Sequence, residues 1–240
     1  MIASAIDKIL SIAQPVVVEV DGEHFSTERL NRIPAEKNAE PVEVKTLSSL
    51  VKYVKDFREN FKDVPLLVHV VSPTTVRLMT ALNDDREREY LMTAEAELPH
   101  IPFGVYIGNE DMLIKVQSMF VDDDETDKDL VLKFAGTVTS GSVKEYGDDG
   151  VTQKATIKNG VASKAEAIVP SPCTLRPYRT FLEVEQPTSK FIFRMKEGLG
   201  NSVESAFFEA DGGAWKNEAR ANIRDYLEEE FEGTDIVVIA

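Results

Sequence analysis

The sequence predicts an α+β fold: a mainly antiparallel β-sheet with flanking amphipathic helices. Three observations predict it. Apolar residues recur at helical spacing in only a few segments, at the start of the chain, over 46–62, after Asn109 and over 214–231. Strand-like runs broken by Asp-Gly and Asn-Gly pairs, the chemistry of tight hairpin turns, cluster after Thr137. Helices and strands do not alternate regularly, as a parallel βαβ sheet would require. A chain of 240 residues suits one domain, 1–240. The alternative is a division near 136 into a mixed 1–136 part and a strand-rich 137–240 part with its terminal helix, although no flexible linker marks that point.

Ile2, Ile6, Ile9, Leu10 and Ala13 give a first amphipathic helix that Pro15 closes. VVVEVDGEHFS reads as a short hairpin turning at Asp21-Gly22, and residues 31–41 read as a polar connection. Thr46 is a predicted N-cap for a helix reaching about Lys62, with Leu47, Leu50, Val51, Val54, Phe57 and Phe61 in one stripe. Strands PLLVHVV and TVRLMTAL follow, joined at Ser72-Pro73-Thr74, and then a strand in REREYLMTAEAEL. Asn109 reads as the N-cap of a helix carrying Glu110 and Asp111 in its first turn, where the helix dipole favours them. Met112, Leu113, Val116, Met119 and Phe120 face inward.

From Thr137 three strands are expected, VKEY, VTQKATIK and VASKAEAIV, with turns at Asp149-Gly150 and Asn159-Gly160. The first turn sets Glu145 opposite Lys154. PSPCTLRP reads as an irregular connector. Pro177–Met195 reads as a hairpin turning at Pro187-Thr188, which puts Leu182, Val184, Phe191, Phe193 and Met195 on an apolar face. Glu185 then faces Lys190, and Phe181 lies opposite Arg194 on the second face. VESAFFEA is a further strand, Asp211-Gly212-Gly213 a turn, and Ala214–Phe231 a helix with Trp215, Ala219, Ile223, Tyr226, Leu227 and Phe231 inward. DIVVIA ends the series as a short strand.

The net charge of −15 argues against sequence-independent nucleic-acid binding and against docking on anionic membranes. The single Cys173 excludes an internal disulfide and a cysteine-based zinc site. No run approaches a membrane span, and the first helix is broken by Asp7 and Lys8, so a cytoplasmic protein is expected. No catalytic constellation emerges and no cofactor is expected. His24, His69 and His100 are isolated from one another, His69 reading as a strand residue with a satisfied hydrogen bond. The run 121–129 holds five Asp and one Glu but lacks the glycine and terminal glutamate of an EF-hand loop, so it reads as a solvated acidic loop.

Two groups remain as candidate sites. Arg176, Tyr178, Arg179, Phe181 and Arg194 form a ligand-binding or interface group, because guanidiniums beside a tyrosine can clamp a phosphate or a planar base, or seal a subunit contact. Glu209 and Asp211 are candidate metal ligands just before a helix N-terminus. The simpler reading is that Asp211 caps the helix and the glycines permit the turn. Glu183 and Glu185 read as a surface charge ladder partnered by Lys190 and Arg194.

At EYGDDGVTQKATIKNGV, LRPYRTFLEVEQPTSKFIFR and FFEADGGAW the sequence resembles uncharacterised proteins encoded by tailed phages and prophages of Gram-positive bacteria. A fainter likeness in length and layout links it to an enterobacterial prophage family. The resemblance carries no functional residues. It implies a phage gene acting in the cytoplasm of the infected bacterial host. The expected function is a non-catalytic accessory protein, a homo-oligomer, that binds a host protein or a small nucleotide-like ligand, with counter-defence as the setting. The alternatives are a metal-dependent phage enzyme of nucleic-acid or nucleotide metabolism, and a virion structural or assembly protein.

Overall fold

A computed structural model describes residues 5, 6, 8, 16–20, 22–26, 39–59, 61, 63–83, 86–138, 143–148, 153–159, 163–168 and 170–240. The fold is α+β. The chain divides into two compact units, Met1–Ala39 and Glu40–Ala240, so the residues on either side of 136 belong to one unit. In the first unit, β1 (Val17–Val20) and β2 (Glu23–Ser26) form the expected antiparallel hairpin. It turns through Gly22 at φ 82°, where a side chain would be strained. Ala5, Ile6 and Lys8 are helical; the rest of the predicted first helix and most of the polar connection after the hairpin lie outside the described residues.

The second unit begins with β3 (Val42–Val44), α1 (Leu47–Lys52), β4 (Leu66–Ser72), β5 (Thr75–Thr80), β6 (Tyr90–Glu95), β7 (Ile107–Gly108), α2 (Asn109–Met119) and α3 (Lys128–Thr137). It continues with β8 (Val143–Asp148), β9 (Gln153–Asn159), β10 (Ser163–Ile168), β11 (Cys173–Leu175), β12 (Ser189–Glu197), β13 (Val203–Glu209), α4 (Trp215–Glu230) and β14 (Val237–Ile239).

These strands make three sheets. The first runs β14-β4-β5-β6-β3. Its centre is antiparallel, with Val68 opposite Leu78 and Leu78 opposite Met92, while β14 and β3 join its edges in parallel. Alternation along β4 turns Leu66, Val68 and Val70 inward, against Leu50 and Val51 of α1, Ile223 and Leu227 of α4, and Phe181. The second sheet, β11-β12-β13-β7, is antiparallel. Phe193 faces Phe207 with ring centroids 4.8 Å apart, and these pack with Met112 and Val116 of α2 and Val131 and Phe134 of α3 in a separate core. The third sheet is the β8-β9-β10 meander expected from the Asp-Gly and Asn-Gly turns.

Several expectations are corrected. Asp148 is opposite Gln153, so Lys154 aligns with Gly147, and Glu145 with Thr156 instead of Lys154; the turn at Asp149-Gly150 itself lies outside the described residues. The helix capped by Thr46, whose Oγ1 accepts from Ser49 N at 3.2 Å, is shorter than expected. It passes into a π-helical turn over Tyr53–Phe57 and stops at Arg58, which is left-handed at φ 45°. Gly108, not Asn109, is the N-cap of α2. The Asn109 amide instead donates to Ala135 O at 2.7 Å and Val138 O at 3.1 Å, and accepts from Ser205 Oγ at 2.7 Å.

The hairpin expected over Pro177–Met195 does not form. Its second arm is β12, but β12 pairs with β11 and β13. The first arm is a loop wound around the buried side chain of Gln186. The amide oxygen of Gln186 accepts from Arg179 N and Thr180 N at 3.0 and 3.2 Å, and its nitrogen donates to Phe181 O at 2.9 Å and to the carbonyls of Thr180 and Val184. One side chain thus supplies the hydrogen bonds that a partner strand would have given. Thr180 Oγ1 donates to Pro73 O at 2.6 Å, tying the loop to the β4–β5 turn. Phe181 is therefore 1 % exposed in the first core, whereas Leu182, expected inside, is 67 % exposed. Glu183 Oε1 accepts from Ser48 N at 3.2 Å in the first turn of α1, and Glu185 pairs with Arg176, so the two do not form a charge ladder with Lys190 and Arg194.

Candidate functional site

The loop around Gln186 delivers Arg179 to the point where β12 begins, β13 ends and α4 starts. Its Nη1 donates to Glu209 Oε1 at 2.9 Å and its Nη2 to Ser189 Oγ. Ser189 Oγ in turn donates to Asp211 Oδ2 at 2.5 Å. The guanidinium carbon lies 4.0 Å from the Trp215 ring centroid and 5.7 Å from that of Phe191. Gly212 and Gly213, at φ 64° and 83°, turn the chain from β13 into α4. Asp211 Oδ1 accepts from Gly213 N at 2.9 Å. The backbone N–H of Trp215, the first residue of α4, also bonds the Asp211 carboxylate, although the N-cap position itself is Ala214.

Burial pushes the Arg179 guanidinium down to about 10, opposed by Glu209, Asp211 and Glu218, so it stays a cation at neutral pH. Burial alone would raise the Asp211 carboxyl. The Ser189 hydroxyl, the Gly213 N–H, the Arg179 charge and the Trp215 N–H together outweigh it and hold Asp211 below the ordinary carboxylate range. Glu209 and Asp211, the candidate metal ligands, thus face a guanidinium. A metal at these oxygens would have to displace it, and no group of three or more His, Cys, Asp or Glu placed to hold a metal occurs among the described residues. Ser189 is engaged on both sides, with no histidine among the described residues bonded to it.

Arg176 makes a second cluster. Its Nη1 is 3.0 Å from Asp123, and its Nη2 lies 3.4 Å from Glu125 and 3.5 Å from Glu185. The acidic run 121–129 is accordingly bound back to β11 and the residues after it. Val121 N donates to Arg176 O at 2.8 Å, Asp127 N to Thr174 O at 2.8 Å, and Thr174 N to Asp127 Oδ2 at 2.7 Å. Lys128, expected within a solvated loop, is 5 % exposed as the first residue of α3 and donates to Phe120 O at 3.0 Å.

Of the ligand or interface candidates, Arg179 is brought together with Glu209 and Asp211, and Arg176 stands apart in its own cluster. Tyr178 is half-buried with its N–H bonded to Met119 O at 3.0 Å, Phe181 is core, and Arg194 is half-buried on β12 opposite Ala206. Sequence reasoning missed Gln186 and Ser189 altogether, and placed Trp215 on the inner face of a helix rather than against a guanidinium. A lone Trp opening a helix, directly after Asp-Gly-Gly, is the signal that could have suggested it. It also passed over Arg220 and Arg224, which line a cleft on α4. Cys173 is buried, and burial, then Asp127, push its thiol up to about 12, which makes it unreactive. No helix among the described residues is long and apolar enough to cross a membrane. No known protein-family model, curated protein or solved structure matches this chain.

Proposed function

We propose that the protein acts by binding, as a non-catalytic accessory protein for a small nucleotide-like ligand, in the phage and counter-defence setting that its sequence resemblance implies. The observation that carries this reading is the saturation of the Arg179 cluster. The carboxylates and hydroxyl nearest to a reactive constellation are bonded to one buried cation, to each other and to backbone N–H groups. A metal-dependent enzyme would need Glu209 and Asp211 free. Calorimetric titration with magnesium or manganese separates the two. The expected result is no metal heat that Asp211→Asn abolishes; saturable metal binding lost in that variant would overturn the reading.

A second reading, capture of a host protein, is favoured by the β1–β2 hairpin. Val16, Val17, Val18, Val20 and Phe25 are each between 47 and 55 % exposed there, and a two-stranded hairpin gains stability from a covering surface. Affinity purification from infected cells tests it: Val18→Asp with Phe25→Asp should lose a partner that the natural chain retains. An unchanged set of retained proteins would remove this reading, and light scattering of the purified protein would distinguish a second copy from a host protein.

A further inference from the structure

We infer that the cleft between the carboxyl end of β4 and the outer face of α4 binds the phosphate of a small molecule. This rests on the binding reading above and gives it a place and a chemistry. The cleft has a volume of about 380 Å³ and is lined by His69 and Val70 on one side and by Asn217, Arg220, Ala221 and Arg224 on the other. That is the size of a small-ligand pocket. The four helix positions follow the i, i+3, i+4, i+7 spacing, so they share one face of α4, next to the Ala219, Ile223 and Leu227 stripe that is buried. The cleft lies where β14 ends at Ile239 opposite His69 and leaves the rest of β4 unpaired on that side among the described residues, with Ala240 at its margin.

Its charged lining residues are Arg220 and Arg224. In a chain of net charge −15, no Asp or Glu among the described residues lines this cleft. The cleft of about 390 Å³ at the start of α2, by contrast, is lined by Glu110 and Asp111 and would repel an anion. Arg220 makes no ion pair among the described residues; its Nη1 donates to Asn217 Oδ1 at 3.1 Å, which fixes the fork and leaves its other N–H groups without an acceptor there. Arg224 gives Nε and Nη2 to Asp225 and leans on Glu228, keeping Nη1 available. Asn217 Nδ2 adds a donor with no acceptor among the described residues. Two guanidiniums and an amide offer more donors than one carboxylate accepts and suit the terminal oxygens of a phosphoryl group. No Phe, Tyr or Trp among the described residues lines the cleft, so recognition would fall on the phosphate and not on a base.

Calorimetric titration with pyrophosphate, alone and with magnesium, tests the site in the natural chain, in R220Q with R224Q, and in K216Q, which changes a charge on α4 outside the cleft. The expected result is saturable binding weakened about tenfold or more in R220Q/R224Q and nearly unchanged in K216Q, with both variants keeping the natural circular dichroism. Absence of saturable binding at millimolar pyrophosphate overturns the site while leaving the non-catalytic reading intact, as does equal loss in K216Q. Magnesium-dependent release of inorganic phosphate that R220Q/R224Q abolishes would support the site and overturn the non-catalytic reading instead.

Discussion

The connector 176–188 and the outer face of α4 both carry arginines, and they use them in opposite ways. In the connector, Arg176 and Arg179 are 14 % and 8 % exposed, and each meets two or more carboxylates. On α4, Arg220 meets only an amide. Acids outnumber bases 42 to 27 in this chain, so a buried arginine readily acquires acidic partners; a cation that has none is the informative one. A guanidinium pair flanking a tyrosine looks like a ligand clamp in sequence. Packed, it ties the acidic run and the first residue of α4 to the second sheet.

The largest effects should lie in the connector. Phe181→Ala should cost about 3–5 kcal/mol, as for other fully buried aromatic side chains. Its neighbour Leu182→Ala should stay within about 0.5 kcal/mol because Leu182 is 67 % exposed. Urea denaturation of the pair discriminates this loop from the hairpin the sequence suggests, in which Leu182 would be the costly one. Next comes Arg179→Ala, expected to cost about 3 kcal/mol, the lower end for breaking a buried ion pair because Glu209 is 41 % exposed. Arg176→Ala should cost about 2–3 kcal/mol, carried by Asp123, which is 19 % exposed, while Glu125 and Glu185 are mostly in solvent and add little.

The pH dependence sharpens the same contrast. Asp211 is held below its ordinary range when folded, so its contribution is fully present above the unfolded carboxylate value near ~4 and is lost as pH falls through the lower folded value. Asp211→Asn should therefore lower stability at neutral pH and narrow its gap to the natural chain in acid; a constant gap between pH ~6 and ~2 would contradict the assignment. The smallest effect on stability belongs to α4. Arg220→Gln and Arg224→Gln should each stay within about 0.5 kcal/mol in thermal or urea denaturation while changing ligand binding.

How much of this was legible follows from the range of the deciding contacts. The Thr46 cap, the Ser72-Pro73-Thr74 turn, the β8-β9-β10 meander and the apolar stripe of α4 rest on neighbours in sequence and could be read directly. The alternation Phe181-Leu182-Glu183-Val184-Glu185 reads equally well as a strand, and what overrules it is Thr180 reaching Pro73, 107 residues away, together with the Gln186 amide. β3 and β11 are three residues each, too short to show a period, and α3 begins inside an acidic run that looks like loop. Arg179, Glu209 and Asp211 each stood out, but as two separate sites, because nothing in the sequence says that the start of β12 and the end of β13 bring them to one place.

The connector's cations are engaged internally while Arg220 on α4 meets no carboxylate among the described residues, and a single comparison of pyrophosphate binding tests that contrast. Saturable binding should weaken about tenfold or more in R220Q/R224Q and be retained in Arg176→Gln. Binding that survives R220Q/R224Q but disappears in Arg176→Gln would put the ligand on the connector and contradict it.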